Sequence, residues 1–435
     1  MKIIITNPGR ILEERSLVSS ALNTGPVVSL TGKTDQTMLG FGAALTDASC
    51  VLLQGMPEAK RLALLREIYS PEEGNFSVGR ICVGSSDYAE TPYDFAPVPE
   101  DLEMRRFDAS HDDAAILPVL RAVRDINPDL FLFASPWSPP GWMKTSGVLQ
   151  GGWMRQKYIK AFALYYLKFL EHYRKAGIVL DALTVQNESE TDQAGKMPAC
   201  LWHPEFEMEA VLELRKLLDG NGFSELKIWL MDHNLNMWRR AIFQMNDPAV
   251  KGASAGIAWH PYEGYPQMIS WFRKEHPECE NHWTEGTVVP IDLVTGYNRT
   301  FSIGDMAAGF LQCIRNGIQS ITLWNLALDP VGYPNIGPFN CKGAVEITGE
   351  GVRYSPEYYT LLHFSKFVKR GARRIEVEGD QLPGSLEAAA FVNPDGTRVA
   401  LVSNTDKFDS EFILRDGGRN IRVPALRESV ATILL

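Results

Sequence analysis

The chain has 435 residues, 45% of them hydrophobic and 22% charged, which leaves room for one large folded unit and a smaller one. A formal net charge of −10 argues against nucleic acid or an anionic membrane as the main partner. The N-terminal apolar run, Ile3 to Ile5, is too short for a signal peptide, and no stretch approaches the roughly 20 apolar residues of a membrane helix. The chain therefore reads as cytoplasmic, without integral membrane contact.

Short strand patterns come first, at Lys2–Thr6 and Val27–Leu30. From Leu39 short apolar runs alternate with helical patterns. Strands are expected at Leu39–Ala44, Phe76–Val83, Leu130–Ala134, Leu183–Gln186, Lys227–Met231, Ala255–Trp259, His282–Thr284 and Ser320–Trp324. Between them, Pro57 opens a helix with Leu62, Leu65 and Ile68 on one face, and Ile116, Leu120, Val123 and Ile126 mark the next. Ile159, Phe162, Tyr166, Phe169 and Tyr173 form a stripe that Gly177 ends, Pro204 opens another helix, and Ile303–Ile314 supplies one more. Such alternation favours a (β/α)8 TIM barrel over an open doubly wound sheet, with bounds at 36–371. After Gly371 only strand patterns remain, including a hairpin around Asn393-Pro-Asp-Gly396. Residues 372–435 joined by 1–35 are expected to form a small side β-sandwich, since neither end could bury a core alone.

The chemistry concentrates where strands end. Asp181-Ala-Leu-Thr-Val-Gln-Asn-Glu188 is an apolar run closing on an amide and a carboxylate, and His282-Trp-Thr-Glu285 has the same character. A barrel presents catalytic groups at the C-terminal ends of its strands. Glycoside hydrolysis needs two carboxyl groups flanking the bond, which casts Glu188 and Glu285 as a pair, with Asn187 placed to bond a sugar 2-hydroxyl. Ser135-Pro-Trp-Ser-Pro-Pro-Gly-Trp142, Trp259-His-Pro-Tyr262 and Trp324-Asn325 add aromatic and amide groups at other strand ends, the mix a sugar pocket uses. His260 is placed to shape that pocket beside Tyr262.

Six long stretches, taken in order, resemble the family 30 glycoside hydrolases, the group that includes glucosylceramidases. They are Gly40-Phe-Gly-Ala-Ala-Leu-Thr-Asp47, Ser77-Val-Gly-Arg-Ile-Cys-Val-Gly-Ser-Ser-Asp87-Tyr, Ala134-Ser-Pro-Trp-Ser-Pro-Pro-Gly-Trp142-Met-Lys, Val185-Gln-Asn-Glu188, Trp324-Asn-Leu-Ala-Leu-Asp329 and His363-Phe-Ser-Lys-Phe367. The resemblance implies a retaining β-glycosidase with Glu188 as acid/base and Glu285 as nucleophile. It places Asn187 on the 2-hydroxyl and Arg80 in support of the nucleophile. Asp87 and Trp137 fall on the far hydroxyls of the sugar, and Tyr262 and Trp324 on the pocket wall. A fixed Arg80 cation would keep Glu285 ionised while Glu188 stays protonated.

The chain departs from that family at Ser189, where glucosylceramidases commonly carry proline, at Trp283-Thr-Glu-Gly-Thr287, and at Tyr333. The expected substrate is a β-glucoside or short β-oligosaccharide. An endo-acting β-1,6-glucanase or xylan-directed enzyme is the alternative within the family, and a carbohydrate-binding barrel without activity the alternative of another class. The eight histidines show no H-x-H or H-E-x-x-H, and no dinucleotide or Walker fingerprint appears, so neither metal nor cofactor is expected. Six scattered cysteines without C-x-x-C spacing are expected as buried reduced thiols.

Overall fold

The structure is a computed structural model that describes residues 1–17, 25–287, 301–379 and 382–435. Its eight central strands are all parallel and close on themselves as a barrel: Gly40–Ala44, Val78–Cys82, Phe131–Ser135, Ala182–Thr184, Lys227–Asn234, Gly256–His260, Glu280–Trp283 and Ser320–Leu323. They are called the first to eighth barrel strands below. Each matches one of the eight predicted strands. The first strand pairs with both the second and the eighth, which shuts the ring. Gly42 permits that closure, because a Cβ there would lie 1.7 Å from the Val78 carbonyl oxygen of the second strand.

One strand end differs from expectation. The fifth strand continues past Met231 to Asn234, and its pairing with the sixth slips between Met231 and His233. Met231 and Asp232 both adopt left-handed backbone there, at φ 74° and 48°. An irregularity of this kind re-aims side chains beside active sites, and here it turns Asp232 into the barrel.

The barrel interior is layered. At the end where the strands begin, Trp229 stacks on Phe131 and on His282, at 5.6 and 4.0 Å between ring centroids. Glu280 accepts from the Trp229 indole at 3.1 Å. Outside, helix Ile159–Lys175 buries Phe162, Tyr166, Phe169 and Tyr173, the predicted stripe. Helix Pro204–Gly220 starts with its proline in the first turn, and Ser302 and Asp305 form a capping box before helix Ile303–Arg315.

The N- and C-terminal strands share one nine-stranded sheet. Its order is Arg419–Ala425, Ser410–Asp416, Val27–Thr37, Arg373–Gly379, Leu386–Val392, Arg398–Asn404, Ser429–Leu434, Lys2–Asn7, Arg10–Ser16. Arg419–Ala425 also touches Ser429–Leu434, far along that order, so the sheet folds over its own apolar face as a β-sandwich. Ile3, Ile5, Phe412, Leu414, Ile421, Val423 and Ile433 lie in that core, each contributing about 1.5–3 kcal/mol by burial. Arg10–Ser16 was not predicted as a strand. It is an edge strand carrying Arg10, Glu13, Glu14 and Arg15, and charge of that kind blunts an edge while erasing its apolar alternation. His363 ties the sandwich to the barrel helix Pro356–Ser365, its two ring nitrogens each 2.8 Å from a hydroxyl, Thr432 and Thr6.

Among the described residues, no helix is long and apolar enough to cross a membrane. All six cysteines are free thiols. Five are buried and Cys279 is only half-buried, because it sits in a surface connection.

Candidate active site

The ends of the second to fifth and seventh strands converge on one guanidinium. Arg80 is wholly buried and all of its nitrogens are engaged. Nη1 donates to Glu285 Oε2 at 2.6 Å, Nη2 to Asn187 Oδ1 at 2.8 Å and Asp232 Oδ2 at 2.7 Å, and Nε to Ser135 Oγ at 3.2 Å. The Trp137 ring lies 4.7 Å from the guanidinium carbon, and Trp324 stacks on Trp137 at 4.7 Å and 22°. A buried cation this fully paired is rigid, and it fixes three carboxylate and amide partners at once.

Asp232 is the second hub. Ser135 donates to its Oδ2 at 2.8 Å, Thr184 Oγ1 lies 2.7 Å from the same oxygen, and Thr284 donates to Oδ1 at 2.6 Å. His260 Nε2 lies 3.0 Å from Oδ1. Burial pushes the Asp232 carboxyl up, but the Arg80 charge and the bonds from His260 and Thr284 hold it well below the usual carboxylate range. The Asp232 backbone carbonyl accepts from Glu188 N–H at 2.9 Å, and Glu188 itself sits at φ 50°. This hooks the turn after the fourth strand so that the Glu188 side chain faces the pocket.

Glu188 Oε1 lies 3.1 Å from His260 Nδ1, and Gln193 Nε2 donates to Oε2 at 2.7 Å. Glu285 accepts from Arg80 and, at 3.0 Å, from the Tyr262 hydroxyl. An oxygen of Glu188, an oxygen of Glu285 and a ring nitrogen of His260 all fall within 4.8 Å of one another. The same three atoms could in principle ligate a cation, but Arg80 already supplies a fixed positive charge 2.6 Å from Glu285.

The charge balance differs from what Arg80 alone predicts. Burial raises the Glu188 carboxyl, yet its bond to His260 and the charges of His233 and His260 bring it below the ordinary value. Burial also raises Glu285, and with the charges of Glu188 and Asp232 this outweighs His260 and Arg80, leaving it above the ordinary value. His260 is the reason for the difference. Burial opposes its charge, but Glu285, Asp232 and Glu188 raise it to about 9. One proton is thus held along the Glu188–His260 contact. We expect kcat/KM to fall above pH about 9 as that proton leaves, a limb that His260→Asn should displace in a pH–rate profile.

Of the residues singled out in the sequence, Glu188, Glu285, Arg80, Asn187, His260 and Tyr262 form one bonded network, with Trp137 and Trp324 stacked against it. Asp87 is also buried, but its Oδ1 has no hydrogen-bond partner among the described residues, and burial with the nearby Glu285 charge keeps its carboxyl well above the usual range. Sequence reasoning missed Asp232, Thr184 and Gln193. Asp232 carries the same signal as Glu188, an acid directly after the predicted strand Lys227–Met231, and that signal could have found it.

A closed parallel barrel with two acids facing each other at the C-terminal ends of its strands is the build of a barrel glycoside hydrolase. The chain belongs to glycosyl hydrolase family 30: residues 38–368 match the family's TIM-barrel domain and 371–433 its β-sandwich domain. It is 30% identical over 404 residues to putative glucosylceramidase 2 of Caenorhabditis elegans, an alignment spanning 88% of this chain and 78% of that protein. It is 29% identical over 402 residues to an endo-1,6-β-D-glucanase of Neurospora crassa, spanning 87% and 80%. Among solved structures, SrfJ from Salmonella typhimurium superposes with a TM-score of 0.92 at 26% identity, covering 100% of this chain and 99% of that one. An endo-β1,6-glucanase superposes at 0.88 with 28% identity, covering 99% and 98%.

Proposed function

We propose that this enzyme hydrolyses a terminal β-glucosyl linkage with retention of configuration, by double displacement. The facing of the two acids carries the reading. Glycoside hydrolysis by two acids needs them on either side of one bond, and here an oxygen of each lies within 4.8 Å of the other, with Glu285 held by Arg80 and Tyr262 and Glu188 bonded to His260. Glu285 attacks the anomeric carbon, while Glu188 delivers the proton it shares with His260 to the departing oxygen. The glycosyl–Glu285 ester is then opened by a water that Glu188 deprotonates, returning the proton to the Glu188–His260 pair. Arg80 and Tyr262 orient the attacking carboxylate. The Asn187 Oδ1 is occupied by Arg80, so its Nδ2 is the group offered to the sugar 2-hydroxyl. Asp87, Trp137 and Trp324 line the glycon side, a buried acid and two stacked rings suited to hydroxyls and C–H faces.

A panel of aryl β-D-glycosides (glucoside, xyloside, fucoside, galactoside) tests the glycon, with the glucoside expected to turn over fastest. NMR of the first product should show the β anomer; the α anomer would overturn the mechanism. The names of the Neurospora relative and of one structural neighbour favour a second reading, internal cleavage of β-1,6-glucan. Product size separates the two: glucose alone from a β-1,6-glucan supports terminal action, and early oligosaccharides support internal action.

A further inference from the structure

His276, Glu278 and Cys279 lie on the short connection between helix Gln267–Glu275 and the seventh barrel strand, on the face of the barrel opposite Glu285. His276 is only 4% exposed, and neither ring nitrogen has a hydrogen-bond partner among the described residues. A buried imidazole with both nitrogens unpaired is costly, and native proteins rarely leave one so without an ion or a water to meet it. Its Nδ1 lies 3.9 Å from Glu278 Oε1, and Cys279 Sγ lies 3.8 Å from the same oxygen. One atom of each residue falls within 4.8 Å of the other two.

We propose that His276, Glu278 and Cys279 form a binding site for a thiophilic divalent cation of the zinc type, separate from the catalytic centre. Bonds of about 2.0–2.3 Å at tetrahedral angles place ligand atoms roughly 3.3–3.7 Å apart. The two measured separations need only a few tenths of an ångström of closure. A nitrogen, a carboxylate and a sulfur ligand together select zinc-like ions over magnesium or calcium. Binding displaces the Cys279 thiol proton to solvent, and a water completes the coordination. Lys251, on helix Pro248–Ala253, pairs with Glu278 and is the resident positive charge. It must release the carboxylate for the metal to enter, so it competes with the cation.

The test is titration of the chelator-treated full-length protein with cobalt(II), followed by zinc(II) competition. One cobalt per chain should bind and give a thiolate-to-metal absorption band, which zinc abolishes. Cys279→Ser should remove the band and His276→Gln should weaken binding at least about tenfold. Lys251→Met should tighten it severalfold, a gain that no loss of folding can mimic. Absence of the band in the parent protein, its persistence in Cys279→Ser, or unchanged affinity in Lys251→Met would overturn the site.

Discussion

Glu285→Gln is expected to lower kcat on an aryl β-glucoside by on the order of 10⁴–10⁶-fold while leaving the protein folded. The amide keeps the size of the carboxylate, so the barrel does not have to repack around it. What it loses is the oxygen proposed to close the ester to the anomeric carbon. It also leaves the Arg80 Nη1 facing a neutral oxygen where a carboxylate stood 2.6 Å away. The companion variant, Glu188→Gln, should fail differently. It removes the proposed proton donor, so hydrolysis of substrates with basic leaving groups should drop by about 10²–10⁴-fold, while activated aryl glycosides still form the glycosyl–enzyme. Added azide should then rescue the Glu188 variant and yield a β-glycosyl azide, but should not give that product with the Glu285 variant. Swapped rescue behaviour would exchange the two roles. Residual turnover in Glu285→Gln above about a tenth of the parent would remove Glu285 from the chemistry.

These two acids were legible because each closes a short strand pattern, Leu183–Gln186 and His282–Thr284, at the end where a barrel presents its chemistry. The barrel was legible for a related reason: eight buried strands need continuous apolar runs, and helices such as Ile159–Lys175 write their buried stripe at three- and four-residue spacing. What stayed hidden has local causes. Asp232 directly follows the predicted strand Lys227–Met231, but the left-handed φ at Met231 and Asp232 that turns its side chain inward is not written in the two-residue strand period. Residues 345–348 and 351–354 form a hairpin after the eighth barrel strand whose apolar content is too thin to announce a strand. The Glu188–His260 contact could not be read at all, since it joins the fourth strand to the sixth and depends on how those ends meet in space. That contact also adds a second positive group to the charge balance of the two acids, which Arg80 alone does not describe.

Asp232→Ala is expected to cost about 3–5 kcal/mol of folding stability at pH 7, because it leaves the fully buried Arg80 short of a counter-charge. The Ser135, Thr184 and Thr284 hydroxyls and His260 lose their common acceptor in the same step. The pH dependence follows from the direction of the Asp232 shift. Its carboxyl is held below the ordinary value in the folded chain, so its contribution is complete above the unfolded value of about 3.9 and is lost as pH falls through the folded one. Urea unfolding of parent and variant should therefore differ by a constant amount from about pH 5 to 6.5, by less as pH rises toward about 9 and the His260 charge that Asp232 supports is lost, and converge only below about pH 4. A loss under about 1 kcal/mol at pH 7 would mean that Arg80 is held by Glu285 and the tryptophans without Asp232. Asp232→Asn separates stability from function, since it keeps the shape and removes the charge. Without that charge His260 loses one of the groups that raise it to about 9. The alkaline limb of kcat/KM should then move to lower pH, with a larger effect on kcat than on KM. An unmoved limb would confine Asp232 to scaffolding; a shifted one makes it the residue that keeps the Glu188–His260 proton in place.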